Sequence, residues 1–249
     1  MTPSFLCENK EKLLSPRVST ISLPKVLDHI INEYSKPDAF DSFKTKKENV
    51  LEALIIACKL GRVDVIRELR VLKSKEIVSE LIEVISPLGD VAILKELRDN
   101  WGLSKPQARN AKSLQLACKH GHLPFVKELI AWGLKSNIRD GNNYALRMAA
   151  RNGHLSVVQE LKKLGLTKKD VILKLDHGHV DYMIVSSPMY DGHTEIVKEF
   201  RLNWGVTKAD FKDQHILREL KKKIKKIDMI EELQNWGYDL EIPIVQEDE

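Results

Sequence analysis

His177 and His179 stand with Asp176 and Asp181 in one short stretch, two imidazoles and two carboxylates of the kind that hold zinc. Two ligands one residue apart in a loop lack the spaced second pair of a structural site, so the cluster reads as a solvated insertion and no metal is expected. Cys7 offers a thiol nucleophile, with one of the 8 histidines as its base. Its neighbours are polar, and no helix start or His lies near enough to lower its pKa. No Gly-rich phosphate loop and no Gly-x-Ser-x-Gly elbow occurs anywhere. The chain therefore reads as non-enzymatic, with no catalytic residue and no cofactor. The one strong run of charge is Lys221-Lys222-Lys223-Ile224-Lys225-Lys226, which nuclear import or nucleic acid could use. Leu217, Leu220, Ile224 and Ile227 recur beneath it at helical spacing. The lysines then form the wet face of an amphipathic helix, a surface that suits the end of a stack.

A Gly-centred phrase recurs about every thirty residues. Its fullest copy runs Ala149-Ala150-Arg151-Asn152-Gly153-His154-Leu155 and on to Leu161; another runs from Ala117 through Gly121-His122 to Leu129. Taking Gly61, Gly89, Gly121, Gly153, Gly192 and Lys225 as markers, the intervals are 28, 32, 32, 39 and 33 residues. Such a period means a solenoid before anything else. Leu146, Ala149 and Ala150 make one helical face, and Val157, Val158 and Leu161 make a second after the Gly. Each unit is thus two short helices, with Gly at the position where the first stops and the chain reverses. Small residues three places before the Gly (Cys58, Ser86, Cys118, Ala150) let neighbouring first helices approach closely. A second mark ends the second helix: Trp101-Gly102, Trp132-Gly133, Leu164-Gly165, Trp204-Gly205 and Trp236-Gly237. All 4 tryptophans fall there, each offering an apolar face for the next unit to cover. Neither helix is long enough to stand alone, so stacking must bury their shared faces.

The phrase resembles the second half of the ankyrin repeat, Ala-Ala-x-x-Gly-His-x-x-x-Val-x-x-Leu-x-x-x-Gly. Residues 149–165 match it almost in full, residues 117–133 nearly as well, and the resemblance covers roughly residues 48–238. The family's Thr-Pro-Leu-His phrase is replaced by Asn143-Tyr144-Ala145-Leu146-Arg147, a variant similar to ankyrin proteins of large DNA viruses and intracellular bacteria. The resemblance implies an all-α, ankyrin-like helical solenoid of about six helix-turn-helix repeats with an N-terminal helical extension. It also implies that His122, His154 and His193 hold their turns by hydrogen bonding. The 28-residue interval leaves little room for a β-hairpin finger between the first two units. The 39-residue interval carries an insertion around Val171–Met189, whose Ser186-Ser187-Pro188 should distort a first helix.

Three segments follow: residues 1–45 as extension and capping helix, 46–240 as solenoid, and 241–249 as an acidic tail. In the extension, Pro24 opens a helical stretch with Val26, Leu27, Ile30, Ile31 and Tyr34, and Pro37 breaks it. Leu23-Pro24-x-Val26-Leu27-x-x-Ile30 also resembles the opening of an F-box, the motif that docks substrate receptors onto ubiquitin ligases. The acidic residue usual before the first Val, and a later Trp, are missing. A cap on the first unit is the first reading of this segment, and a ligase-docking motif near residues 23–34 is the alternative.

A net charge of +4 is too mild to argue for nucleic acid, and 43% hydrophobic with 31% charged residues suits a soluble solenoid. No apolar run spans a membrane and no secretory leader opens the chain. Cys58 and Cys118 lie two units apart, beyond the roughly 7 Å between Cα atoms that a disulfide bridges, so both read as buried thiols. A monomer in the cytoplasm, or in a host cytoplasm if exported, is expected. The resemblance implies a protein partner, bound on the concave side by the first helices and the loops between units. Those loops are Ser104–Asn110, Lys135–Asn143, Thr167–Asp176 and Thr207–Gln214. They bring Arg109, Arg139, Asp140, Asn142, Asn143, Lys168, Lys169 and Lys212, and Tyr144, Arg147 and Arg151 serve as anchors.

Overall fold

In the computed structural model, residues 51, 53–174, 180–181, 183–210 and 227–240 are described. They form helices α1 (residues 53–59), α2 (Val63–Glu68), α3 (Lys75–Ile85), α4 (Val91–Asp99) and α5 (Lys105–Asn110). Then come α6 (Ser113–Lys119), α7 (Leu123–Leu129), α8 (Asp140–Arg151), α9 (Leu155–Lys163) and α10 (Lys168–Val171). After a small hairpin, α11 (Met183–Asp191), α12 (Thr194–Leu202) and α13 (Ile227–Asn235) follow. The units are α1–α2, α3–α4, α6–α7, α8–α9 and α11–α12, with α13 the second helix of a sixth. Neighbouring units stack, second helix on second helix, through α2, α4, α7, α9, α12 and α13.

The turn inside the first, third, fourth and fifth units is a helix stop of one design. At Gly153, φ is +81, a conformation costly for any residue with a Cβ. The next amide, His154 N–H, then reaches back to the Ala149 carbonyl at 2.9 Å, closing the helix end. The same closure joins Arg62 to Ala57, His122 to Ala117 and His193 to Pro188. The core is a continuous apolar column, with Leu81, Ile93, Phe125, Leu146, Val158 and Phe200 all fully buried. Each large side chain so removed from water contributes about 2 kcal/mol, which offsets the marginal stability of helices this short. Cys58, Ser86, Cys118 and Ala150 are all buried where first helices meet. Around α8 the first helices touch along more of their length than the second helices do. Small residues there let the first helices approach closely, and the exposed sides of the first helices form one face of the stack, its inner face.

The connections between units differ from the loops expected from the sequence. Lys105–Asn110 and Lys168–Val171 are short helices, and Lys135–Arg139 and Lys208–Asp210 are 3-10 turns. The reason is local. Ser104 with Gln107, and Thr167 with Asp170, form reciprocal capping boxes that nucleate a helical turn just after the second-helix stop. The long insertion is a hairpin pairing Leu173–Lys174 with Val180–Asp181 in antiparallel register. Helix α11 runs on through Pro188, so Ser186-Ser187-Pro188 lies inside the helix rather than breaking it. His177 and His179, the Lys221–Lys226 run and the F-box-like segment lie outside the described residues.

Candidate protein-binding face

Counting back from each marker Gly, positions −9, −6, −5 and −2 of the first helix face outward on the inner side. In the second unit they are Glu80, Glu83, Val84 and Pro87; in the third, Lys112, Gln115, Leu116 and Lys119; in the fourth, Tyr144, Arg147, Met148 and Arg151. All twelve are exposed or half-buried. The face therefore changes sign along the stack, acidic on α3 and basic on α6 and α8. No carboxylate occurs between Lys105 and His122, nor between Asn142 and His154. His120, on the edge of this basic stretch, has its pKa pushed down by partial burial and then by the nearby Lys119, His122 and His154.

Between the third and fourth units the face deepens into a recess of about 490 Å³ lined by Arg109, Lys112, Gln115, Leu116, Asp140 and Tyr144, among others. Two local backbone features open it. Lys112 turns the chain from α5 into α6 at φ +53, and α8 begins with Gly141, Asn142 and Asn143 at φ +63, +55 and +57. Left-handed residues other than Gly cost about 1–2 kcal/mol each, and Asn bears that cost best. Asn143 is held by its side chain, which donates to the Asp170 carbonyl at 2.9 Å. Asp140 is held by Asn137 at 2.6 Å, and its carbonyl accepts from Gln115 at 3.4 Å. The Arg147 guanidinium lies 5.4 Å from the centre of the Tyr144 ring, a cation–π contact that orders both side chains.

Tyr144, Arg147 and Arg151 thus share one helix face, with Arg109 and Asp140 at the rim of the recess beside it. Other charged residues expected at the tips bridge neighbouring units instead. Arg139 meets Asp170 at 2.9 Å and the Gly165 carbonyl at 2.8 Å, Lys168 meets Asp210 at 2.6 Å, and Arg109 meets Asp140 at 3.5 Å. Burial raises the Asp170 pKa, but the Arg139 and Thr167 hydrogen bonds outweigh it and hold the carboxyl below its ordinary value. Asn143 is buried, which corrects its expected place at an open tip: its side chain locks α8 to the next unit. Asn142 and Lys169 are exposed, and Lys212 lies outside the described residues.

A set of carboxylates on the outer helices escaped the sequence reading, although the signal was available. Every unit carries Glu seven residues after its marker: Glu68, Glu96, Glu128, Glu160, Glu199 and Glu232. From the second unit on, each accepts from the unit before it. Arg67 pairs with Glu96 at 3.3 Å, Arg98 with Glu128 at 2.6 Å, Lys127 with Glu160 at 3.7 Å, and Arg201 with Glu232 at 2.6 Å. Gln159 donates to Glu199 at 3.1 Å. Arg98, and then the nearby Lys95, hold the Glu128 pKa below its ordinary value. The last tryptophan ties into the same ladder. Trp236 donates to Glu232 at 3.0 Å, whereas in the second and fifth units one extra residue, Asn100 or Asn203, takes the equivalent Glu. Trp101, Trp204 and Trp236 are buried as expected, and Trp132 is half-buried.

Burial pushes the Cys58 and Cys118 thiols up to about 12, a state in which neither acts as a nucleophile. No helix among the described residues is long and apolar enough to cross a membrane.

The family model for ankyrin repeats in three copies matches residues 73–171, the stretch that holds α3 to α10 and the recess. Residues 73–171 are ankyrin repeats, as both their stacked helix pairs and this match show. Ankyrin repeats are non-catalytic modules of protein–protein interaction. No curated protein matches the chain.

Proposed function

We propose that the chain works by binding a partner protein across the inner face of its third and fourth units, with Tyr144, Arg147 and Arg151 as anchors and no catalytic step. The observation that carries this reading is a division of labour among the charged groups. On the outer helices and between the connecting helices, Arg and Lys are paired with carboxylates of the next unit at 2.6–3.7 Å. On the inner face, Lys112 and Lys119 have no ion pair among the described residues, and Lys112 lines a recess wide enough for side chains of another molecule. Tyr and Arg side chains are enriched among binding hot spots. We place the protein in the cytoplasm, or in a host cytoplasm if it is exported, as a monomer.

The test is affinity purification with mass spectrometry on the intact chain, on a chain lacking residues 1–44, and on Tyr144→Ala/Arg147→Ala. Circular dichroism on all three checks that the helices survive. Partners shared by the first two and lost from the third support the inner face. Partners that persist on the double variant place the binding surface elsewhere. A ligase component lost only on truncation would assign residues 23–34 to ubiquitin-ligase docking.

A further inference from the structure

We infer that the inner face is built for an extended, charge-asymmetric peptide segment of the partner: two acidic side chains over the third and fourth units and one basic side chain over the second. This rests on the reading of the inner face as a protein-binding surface and adds the chemistry of what binds there. Lys112 and Lys119 stand at −9 and −2 of the third unit, and Arg147 and Arg151 at −6 and −2 of the fourth, so each of these units presents two cations on this face. Glu80 and Glu83 stand at −9 and −6 of the second unit, the positions of Lys112 and Arg147, and are exposed. Arg151 pairs with Asp191 at 4.0 Å, but both side chains are about half exposed, so the pair is weak, screened by water and open to exchange for a partner's carboxylate. Tyr144 and Leu116 give the recess apolar surface against which the stem of an acidic side chain can lie, with Lys112 in the same lining and Asp140 there already paired with Arg109 at 3.5 Å.

Geometry sets the spacing. Packed helices of neighbouring units are separated by roughly 10 Å. An extended chain advances about 3.3 Å per residue, so three residues carry it from one unit to the next. The segment therefore carries a basic residue and two acidic residues at three-residue intervals, in one chain direction or the other. The sign change also selects against a nucleic acid. A uniformly negative strand long enough to cross three units meets Glu80 and Glu83 at one end, and like charges repel there.

The experiment is selection from a random dodecapeptide phage library on the full 249-residue chain, repeated on Lys112→Glu/Arg151→Glu, with circular dichroism confirming that both are folded. Both substitutions are at exposed positions. The expected result is enrichment of Asp or Glu at three-residue spacing with Lys or Arg on one side. The best peptide, made synthetically, should bind the double variant at least about tenfold more weakly. Replacing its basic residue by Glu should weaken binding to the native chain and restore it on Glu80→Lys/Glu83→Lys. Selected peptides without acidic bias, insensitive to Lys112→Glu/Arg151→Glu but lost on Tyr144→Ala, would overturn this inference and leave the inner-face reading standing. If the folded chain selects no peptide, both fall. A single-stranded DNA 20-mer that displaces the peptides, and binds more tightly still to Glu80→Lys/Glu83→Lys, would overturn it in favour of a nucleic-acid surface.

Discussion

His154 lies across Gly121 of the unit before it: its Nε2 donates to the Lys119 carbonyl at 2.9 Å, and a Cβ on Gly121 would stand 2.5 Å from its Nδ1. The same contact links His122 to Gly89 and the Pro87 carbonyl, at 2.7 Å in the latter case. The histidine that the ankyrin resemblance assigns to its own turn thus fastens the preceding one, and the Gly is required twice. It must adopt a left-handed backbone, and it must leave room for an imidazole.

Gly121→Ala is expected to destabilise the chain by about 2–3 kcal/mol, roughly 1–2 from φ +77 and the rest from displacing the histidine. His154→Ala should cost about 1 kcal/mol. The double variant should lose less than the sum, because removing the ring also removes the clash. Urea unfolding of the three variants measures this, and strict additivity would show that the ring does not constrain the Gly.

The outer ladder predicts an asymmetry between partners. Glu232 is 1% exposed and bound by Arg201 at 2.6 and 3.0 Å, while the Arg201 side chain remains 28% exposed. Arg201→Ala leaves a buried carboxylate with Trp236 as its one remaining partner among those described. Glu232→Ala leaves a guanidinium that reaches water. The first should cost about 3 kcal/mol and the second about 1–2. Both losses should concentrate in the last units, read by hydrogen exchange along the chain.

Stability should fall on the acid side. Hydrogen bonds from Arg98 hold Glu128 below its ordinary 4.5. Those of Arg139 and of Lys168, outweighing burial, hold Asp170 and Asp210 below their ordinary 3.8. Each group is more acidic folded than unfolded, so the unfolded chain binds more protons. Their stabilisation is full above the ordinary values and is lost as pH falls from there through the lowered ones. Urea midpoints from about pH 6 to pH 2 test this, and Arg139→Ala should flatten the part that belongs to Asp170.

Lys112 separates stability from binding. It sits at φ +53, where Gly has no strain, and its side chain lines the recess. Lys112→Gly should be neutral or stabilising by up to about 1 kcal/mol. It should also weaken acidic peptides several-fold. A variant that is both less stable and equally able to bind would show that the left-handed turn serves packing alone.

The order of events along the chain was legible in the sequence because it depends on neighbours. Gly at a fixed offset from apolar residues dictates where a helix stops, and a period near thirty residues dictates stacking. Hence the units, their turns, the buried cysteines and the tryptophans at the second stop were readable from residue types. Even the outer glutamates were visible, since Glu recurs seven residues after every marker. Their partners were not, because a salt bridge between units depends on which side chains stacking brings within 4 Å. The connections read as loops because Ser104-Lys105-Pro106-Gln107 and Thr167-Lys168-Lys169-Asp170 look like turn sequences, and only their capping boxes show them to be helical. Tertiary structure alone sorted the charged residues. Arg139 and Lys168 lie in the same kind of sequence as Lys112, yet stacking gives the first two a carboxylate and leaves the third facing the recess.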